Sequence, residues 1–414
     1  MVLIIPFGAN SGYLTVTLAY LLQKAGVSVA AVGALIALTY IPHTWKFLWA
    51  PITDATLDQK RWYLIGSILT GVGIAAMGMM PPTQSGLAAL SVVALLGSLA
   101  TTFLGMSVES LMAYATPEDQ KGRAGGWFQA GNLGGAGLGG GLGLWLAARL
   151  PEPWIPASIV GALCLLCSFA LLLVPSPGHF TAGARQGPLA GVLAAVKDLW
   201  DLAKQRGPQI ALFLCFLPIG AGAAGGLWSA VANEWHASSD TVAFATGAMT
   251  GLISAIGCVV GGWICDRMRR QLAYVIYGLL QAVCAVAMAL APRTESSFVV
   301  FTLIYAFITG LTYAGFTAFT LEAMGKGAAA TKYSVFASLS NMPIAYMTLI
   351  DGKAHDRWGS SGMLFTEAAL CTAGAFLFLA VAGALMKKRP GAAVPPIHLE
   401  DAGPDAGPAG RWRG

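Results

Sequence analysis

Two charges interrupt the apolar sequence where charge is costly: Lys46 in the second apolar stretch and Glu109 in the fourth. An ion inside a bilayer faces another helix or a watery cavity, and it settles best beside a charge of opposite sign. Lys46 lies about two helical turns before Asp54, and Glu109 about two turns before Pro117. Both landmarks end their stretches on the same side of the membrane, so the two charges are expected at similar depth. A pair there could be a fixed strut. It could equally exchange a proton, with Lys46 biasing the acidity of Glu109, or hold a charged group of a solute.

Further polar and aromatic side chains fall on stretches expected to surround a centre. Asn10 and Tyr13 share a face of the first, beside Gly8 and Gly12. Tyr40 and His43 are three apart in the second stretch, one turn from Lys46, Trp228 lies in the seventh stretch, and Tyr305 and Tyr313 share a face of the tenth. Gln129 and Asn132 share a face of the fifth, and Ser338 and Asn341 repeat that spacing in the eleventh. Each alone reads as packing or an interface anchor; together they suggest a cavity suited to rings or sugars. Glu367 is solitary in the twelfth stretch and reads as peripheral, while Glu322 reads as interfacial. His355 and Asp356 read as loop packing, without a nucleophile or metal-ligand set around them.

The elements that must position these residues are all helices. A crossing needs about 20 apolar residues. Such stretches run over 3–23, 28–52, 62–80, 86–114, 123–149, 154–174, 207–231, 241–264, 271–291, 297–321, 331–350 and 363–386. The expected fold is all-α: a polytopic membrane protein whose twelve helices form two pseudo-symmetric six-helix bundles. Pro6-Phe7-Gly8-Ala9 recurs as Pro218-Ile219-Gly220-Ala221, and Asp54 recurs as Asp266 at the same offset. Duplicated bundles that rock about a central site are how alternating-access transporters are built. We therefore expect bundles at 1–174 and 207–389, a linker at 175–206 and a tail at 390–414.

Composition agrees with a lipid solvent. Hydrophobic residues make up 56% of the chain and charged residues 10%, too few for a soluble surface. Lysines and arginines concentrate in the segments that lie inside if the N-terminus is inside, which predicts a cytoplasmic (inner) membrane protein with both termini cytoplasmic. The net charge of +5 reflects that bias, and no basic stripe suggests nucleic acid. Positions 189–203 alternate at helical spacing and predict an amphipathic linker helix on the membrane surface. The Pro/Gly/Ala-rich tail is expected to be disordered. The seven cysteines lie in or beside apolar stretches, and Cys164 and Cys167 lack a second pair, so we expect no metal, cofactor or redox centre. The glycine run from Gly131 to Gly143 follows no strand, which excludes a nucleotide loop; it would let a helix lie against its neighbour.

The segment after the second stretch carries Asp54 and then Lys60 and Arg61; the matching segment reads Gly262 to Asp266, then Arg267, Arg269 and Arg270. This repeated aspartate-basic pattern resembles the loop signature of the major facilitator superfamily, with Pro51 where a glycine is usual. The resemblance implies that Asp54, Arg61, Asp266, Arg267 and Arg270 act as gating latches. The stretch from Tyr40 to Pro51, with Gly8 to Gly12 and Gly26 to Ser28, resembles the AmpG-like muropeptide permeases of the branch that includes acetyl-CoA transporters. That implies proton-coupled import of a cell-wall-like or other bulky polar solute. Of two acidic positions typical of the fourth span in that group, Glu109 fills the second and Gly105 occupies the first, so the substrate is not carried over. The expected partners are a small organic solute, protons and membrane lipid, with the protein a monomer and not an enzyme. Two rival readings are efflux of a drug-like compound or metallophore, and a non-transporting receptor or scaffold of the same fold.

Overall fold

A computed structural model describes residues 1–115, 121–174, 206–324 and 335–387, with isolated positions between 190 and 204. The predicted tail and most of the linker helix lie outside the described residues.

Among the described residues, twelve helices form the fold. In the first half they are α1 (Val2–Lys24), α2 (Val29–Trp45), α3 (Gln59–Met79), α4 (Leu87–Ala115), α5 (121–147) and α6 (Trp154–Leu173). In the second they are α7 (206–235), α8 (Ser239–Cys265), α9 (Arg270–Leu290), α10 (Glu295–Met324), α11 (335–358) and α12 (360–387). Three of them would escape a simple length-and-hydropathy rule, each for its own reason. Pro42 lies inside α2, which gives way to a tight turn at Lys46. The first part of α5 is rich in glycine, which dilutes its hydropathy. α7 breaks after Phe216, where Pro218 and the left-handed Gly220 and Gly222 follow.

The helices α11 and α12 are two legs of one continuous run that departs from helical geometry at Gly359, whose φ is +67°. The legs return to the same depth: the Tyr346 hydroxyl donates to the Phe216 carbonyl, and Gly374 packs against Pro218. The eleventh stretch was expected to end at 350, but its helix continues to 358 because Gly359, not the charged residues at 351–357, supplies the turn.

Glycine sets the closest helix approach. A Cβ on Gly8 would lie 1.8 Å from the Asn132 carbonyl oxygen, one on Gly135 2.1 Å from that of Ile5, and one on Gly139 1.9 Å from that of Ala9. The glycine run is thus the seam that lets α5 lie backbone to backbone on α1. Where this seam reaches the junction of the halves, three helices widen to i→i+5 turns, at Tyr13–Leu18, Leu138–Leu142 and Ala243–Met249. A widened turn frees carbonyls, and the Thr17 hydroxyl takes two of them, Gly139 and Gly140, at 2.8 and 3.1 Å.

The two halves are clasped at one end, that of the 25–28, 236–238 and 291–294 turns. Arg149, in the turn after α5, makes a two-pronged ion pair with Asp240 of α8 at 2.9 and 3.1 Å. The Ala30 N–H donates to Asp356 Oδ1 at 3.1 Å, joining α2 to α11. Beneath these contacts one apolar cluster takes Val32 and Ile36 from the first half and Leu227, Val231 and Val242 from the second. The α2–α11 seam continues toward the far end, where Phe47 packs into the cluster of Leu212, Phe336 and Leu339.

Candidate functional site

Each half holds a polar grouping of its own: an ion pair in the first and a hydroxyl-bearing cavity in the second. In the first half the α2 helix stops at Trp45 and turns through 46–48, which aims Lys46 sideways toward α4. Its Nζ donates to Glu109 Oε1 at 3.1 Å. The lysine side chain is 12% exposed and the glutamate 41%, so the pair is half in water rather than sealed. The neighbouring Trp49 indole donates to Thr102 Oγ1 at 3.1 Å, and the His43 ring meets Phe7 edge-on with centroids 5.2 Å apart. Tyr40, on α2, and Lys46, in the turn that follows it, are both half-buried.

In the second half the break in α7 dominates. A broken helix leaves backbone groups that must find partners. The Tyr274 hydroxyl donates to the Ile219 carbonyl at 2.7 Å, Tyr346 serves Phe216, and Glu367 Oε1 accepts the Ala224 N–H at 3.4 Å. The gap left by the break is a cavity walled by Ile219, Gly220, Ala221, Tyr274, Tyr313 and Ser340, among others. Its lining is apolar with hydroxyl groups, suited to ring faces and sugar-like edges. Tyr313 is 50% exposed here despite its place in mid-helix.

Tyr305 does not share that cavity. It is buried by α7 and α12, its ring meets Trp228 edge-on at 5.2 Å, and its hydroxyl donates to Glu367 Oε1 at 2.5 Å. Two turns along α10, the α7 break uncovers Tyr313, so residues on one helix face have different environments. Trp228 is likewise buried rather than open to the cavity. Asn10 and Tyr13, expected to line it, are buried in the α1 packing, with Tyr13 in the large apolar cluster. The α5 glycine seam brings the backbones so close that the Tyr13 ring is enclosed. Gln129 is exposed and accepts from Asn132 Nδ2 at 3.4 Å, whereas Asn341 folds back on its own helix, donating to Ala337 and Ser338 carbonyls.

Glu367, read as solitary and peripheral, is neither. It is 5% exposed and bound to Tyr305 and the α7 backbone. Asp351, missed because the eleventh stretch was closed one residue too early, is fully buried. Asp351 and Glu367 lie equally far along the chain on either side of Gly359, and they interact electrostatically. His355 also belongs to a helix rather than a loop and pairs with Glu234. The signal that could have found this cluster is the i, i+4 spacing of Asp351 and His355 before Gly359.

The residue types, the duplicated six-helix halves and the broken helices at their junction accord with the match of residues 1–348 to the Major Facilitator Superfamily. The chain belongs to the major facilitator superfamily. This facilitator is 24% identical over 392 residues to the anhydromuropeptide permease of Escherichia coli, covering 91% of this chain and 76% of that one. Among solved structures, that of the nucleoside transporter NupG superimposes with a TM-score of 0.68 at 16% identity, covering 92% of this chain and 97% of that one. A partially occluded, inward-open structure of the xylose transporter XylE from Escherichia coli gives 0.68 at 15% identity, covering 92% and 96%. The facilitator is thus a multi-pass membrane transporter for a small molecule. Its loop residues make local contacts: Arg61 pairs with Asp58 at 2.9 Å, and Arg267 stacks on Trp263 at 3.7 Å while donating to the Trp263 carbonyl. Asp266 closes α8 as its final cap, and Arg270 opens α9. The Asp54 side chain lies outside the described residues.

Proposed function

We propose that this facilitator imports a bulky polar organic solute across the cytoplasmic membrane by alternating access, driven by protons. The observation that carries the reading is the pairing of two unlike polar features, one in each half, in a molecule clasped at one end. A half-wet Lys46–Glu109 pair lies in one half, and a hydroxyl-lined cavity lies beside the broken α7 in the other. The cavity can grip an uncharged, ring-bearing body, while the ion pair can exchange a proton or meet a charged group. The sequence likeness to an anhydromuropeptide permease supports a solute of that size and polarity. Arg61, Arg267, Arg269 and Arg270 at the far end support placing that end in the cytoplasm, with the clasp outside and both termini inside. One charge crossing 100 mV releases about 2.3 kcal/mol, enough to concentrate a solute roughly fifty-fold.

Purified protein in liposomes, offered a tritiated anhydromuropeptide, is expected to accumulate the label when the outside is made acidic and to lose accumulation when the gradient is collapsed. Accumulation only into inverted vesicles would favour export instead. Binding without counterflow would favour a receptor.

A further inference from the structure

The second half holds two acids that the Lys46–Glu109 pair does not explain. Asp351 on α11 is fully buried, and neither of its carboxyl oxygens has a hydrogen-bond partner among the described residues. Glu367 on α12 is 5% exposed; its Oε2 also lacks a partner, and its Oε1 accepts from Tyr305 and from the Ala224 N–H. Around Glu367 stand Tyr305 from α10, Cys284 from α9, Cys371 from its own helix and Asp351 from α11. None of these is a cation. His355, Glu234 and Arg293 form the next titratable layer toward the clasped end, but His355 is already paired with Glu234, and Arg293 stacks on Trp235 at 3.9 Å. Two neighbouring carboxylates without a cation cannot both be ionised in a low-dielectric interior. The hydroxyl of Tyr305 and the amide of Ala224 both donate to Glu367, so they favour its charged form. The lone pairs of Asp351 are left to carry a proton.

The pair also touches moving parts. Ala224 lies in the turn at Ala223–Gly226, two residues after the left-handed Gly222, and residues 219–221 of the same break wall the cavity. Glu367 therefore fastens α7 at its weakest point through one backbone hydrogen bond that strengthens with negative charge.

We propose that the Asp351–Glu367 pair is a proton-binding site whose occupancy sets the α7 break. With one proton bound, on Asp351, Glu367 stays charged and holds the Ala224 N–H. With a second proton bound, the fastening weakens and the break, with the cavity wall it forms, is free to change shape. The step is a proton transfer from water to a carboxylate oxygen and needs no other reactant. The proposal rests on the proton-coupled reading above, but its test uses no solute.

The full chain in lipid nanodiscs is followed by infrared difference titration and by hydrogen exchange as the pH is lowered. Exposed carboxyls are ionised above about pH 5. The wild type is expected to keep a protonated carboxylic-acid band well above that pH, and Asp351→Asn is expected to remove it. Exchange at 217–226 is expected to rise about tenfold as the second proton binds, and Glu367→Gln is expected to show the fast rate at every pH. If a variant fails to insert, the wild-type band and the exchange step still decide the matter. Absence of the band, its persistence in Asp351→Asn, or pH-independent exchange at 217–226 would overturn the proposal. If band and step are present while liposome uptake ignores the proton gradient, the site stands and proton-coupled import fails.

Discussion

Replacing Gly247 by leucine is expected to abolish concentrative uptake while leaving the chain folded and inserted. Gly247 on α8 faces Gly141 on α5 across the junction of the halves, and a Cβ there would lie 2.4 Å from the Gly141 Cα and nitrogen. Both of those atoms are backbone, so no side chain can swing aside. Within a bundle such a clash would threaten folding. Between bundles it can be relieved by letting the halves part at the clasped end, at the expense of the Arg149–Asp240 pair and the Ala30–Asp356 hydrogen bond. Both of those contacts are exposed and therefore weak. Overpacking costs about 1–3 kcal/mol, which shifts a two-state equilibrium roughly 5- to 150-fold away from the clasped form. Liposome uptake and thermal melting, measured together, check this. Normal uptake, or a protein that no longer melts cooperatively, would count against a hinge at this seam.

Glu109→Gln is the second substitution with a large expected effect. The amide keeps an oxygen that Lys46 can donate to, so the α2–α4 contact persists in shape. The glutamate is 41% exposed, so the loss of charge is cushioned by water and costs less than the roughly 3–5 kcal/mol of breaking a sealed pair. What disappears is a titratable carboxyl at membrane depth. Accumulation of anhydromuropeptide under an acid-outside gradient is expected to fall to its level without a gradient, while exchange of labelled for unlabelled solute continues. Undiminished pH-dependent uptake would remove Glu109 from coupling. Loss of the protein from the membrane would mark the pair as a strut.

The first half of this site was legible because its landmarks are local. Asp54 and Pro117 each fix a depth along one helix, and two depths measured separately bring Lys46 level with Glu109. The second half was not, because its geometry depends on contacts between helices far apart in sequence. Glu367 reads as solitary until α7, α10 and α11 are folded around it. Asp351 reads as a loop residue because charge near a span end looks like a boundary, whereas the boundary is the single left-handed Gly359. The internal repeat also misleads in detail. Gly8 packs inside an unbroken α1 against the Asn132 carbonyl, while its counterpart Gly220 is a left-handed residue in the α7 break. The same motif thus serves as a contact in one half and a hinge in the other. The aromatic residues divide for a similar reason: Tyr313 opens onto the gap left by that hinge, and Tyr13 is enclosed by a glycine seam whose closeness only folding reveals.

Alternating access requires the halves to move against each other. Two distances followed in the same liposomes test this most directly, with spin labels at Lys24 and His236 across the clasped end and at Leu57 and Gln271 across the far end. Adding anhydromuropeptide under a proton gradient is predicted to lengthen the first distance and shorten the second in the same population. Uptake that proceeds while both distances stay fixed, or change in the same direction, would contradict it.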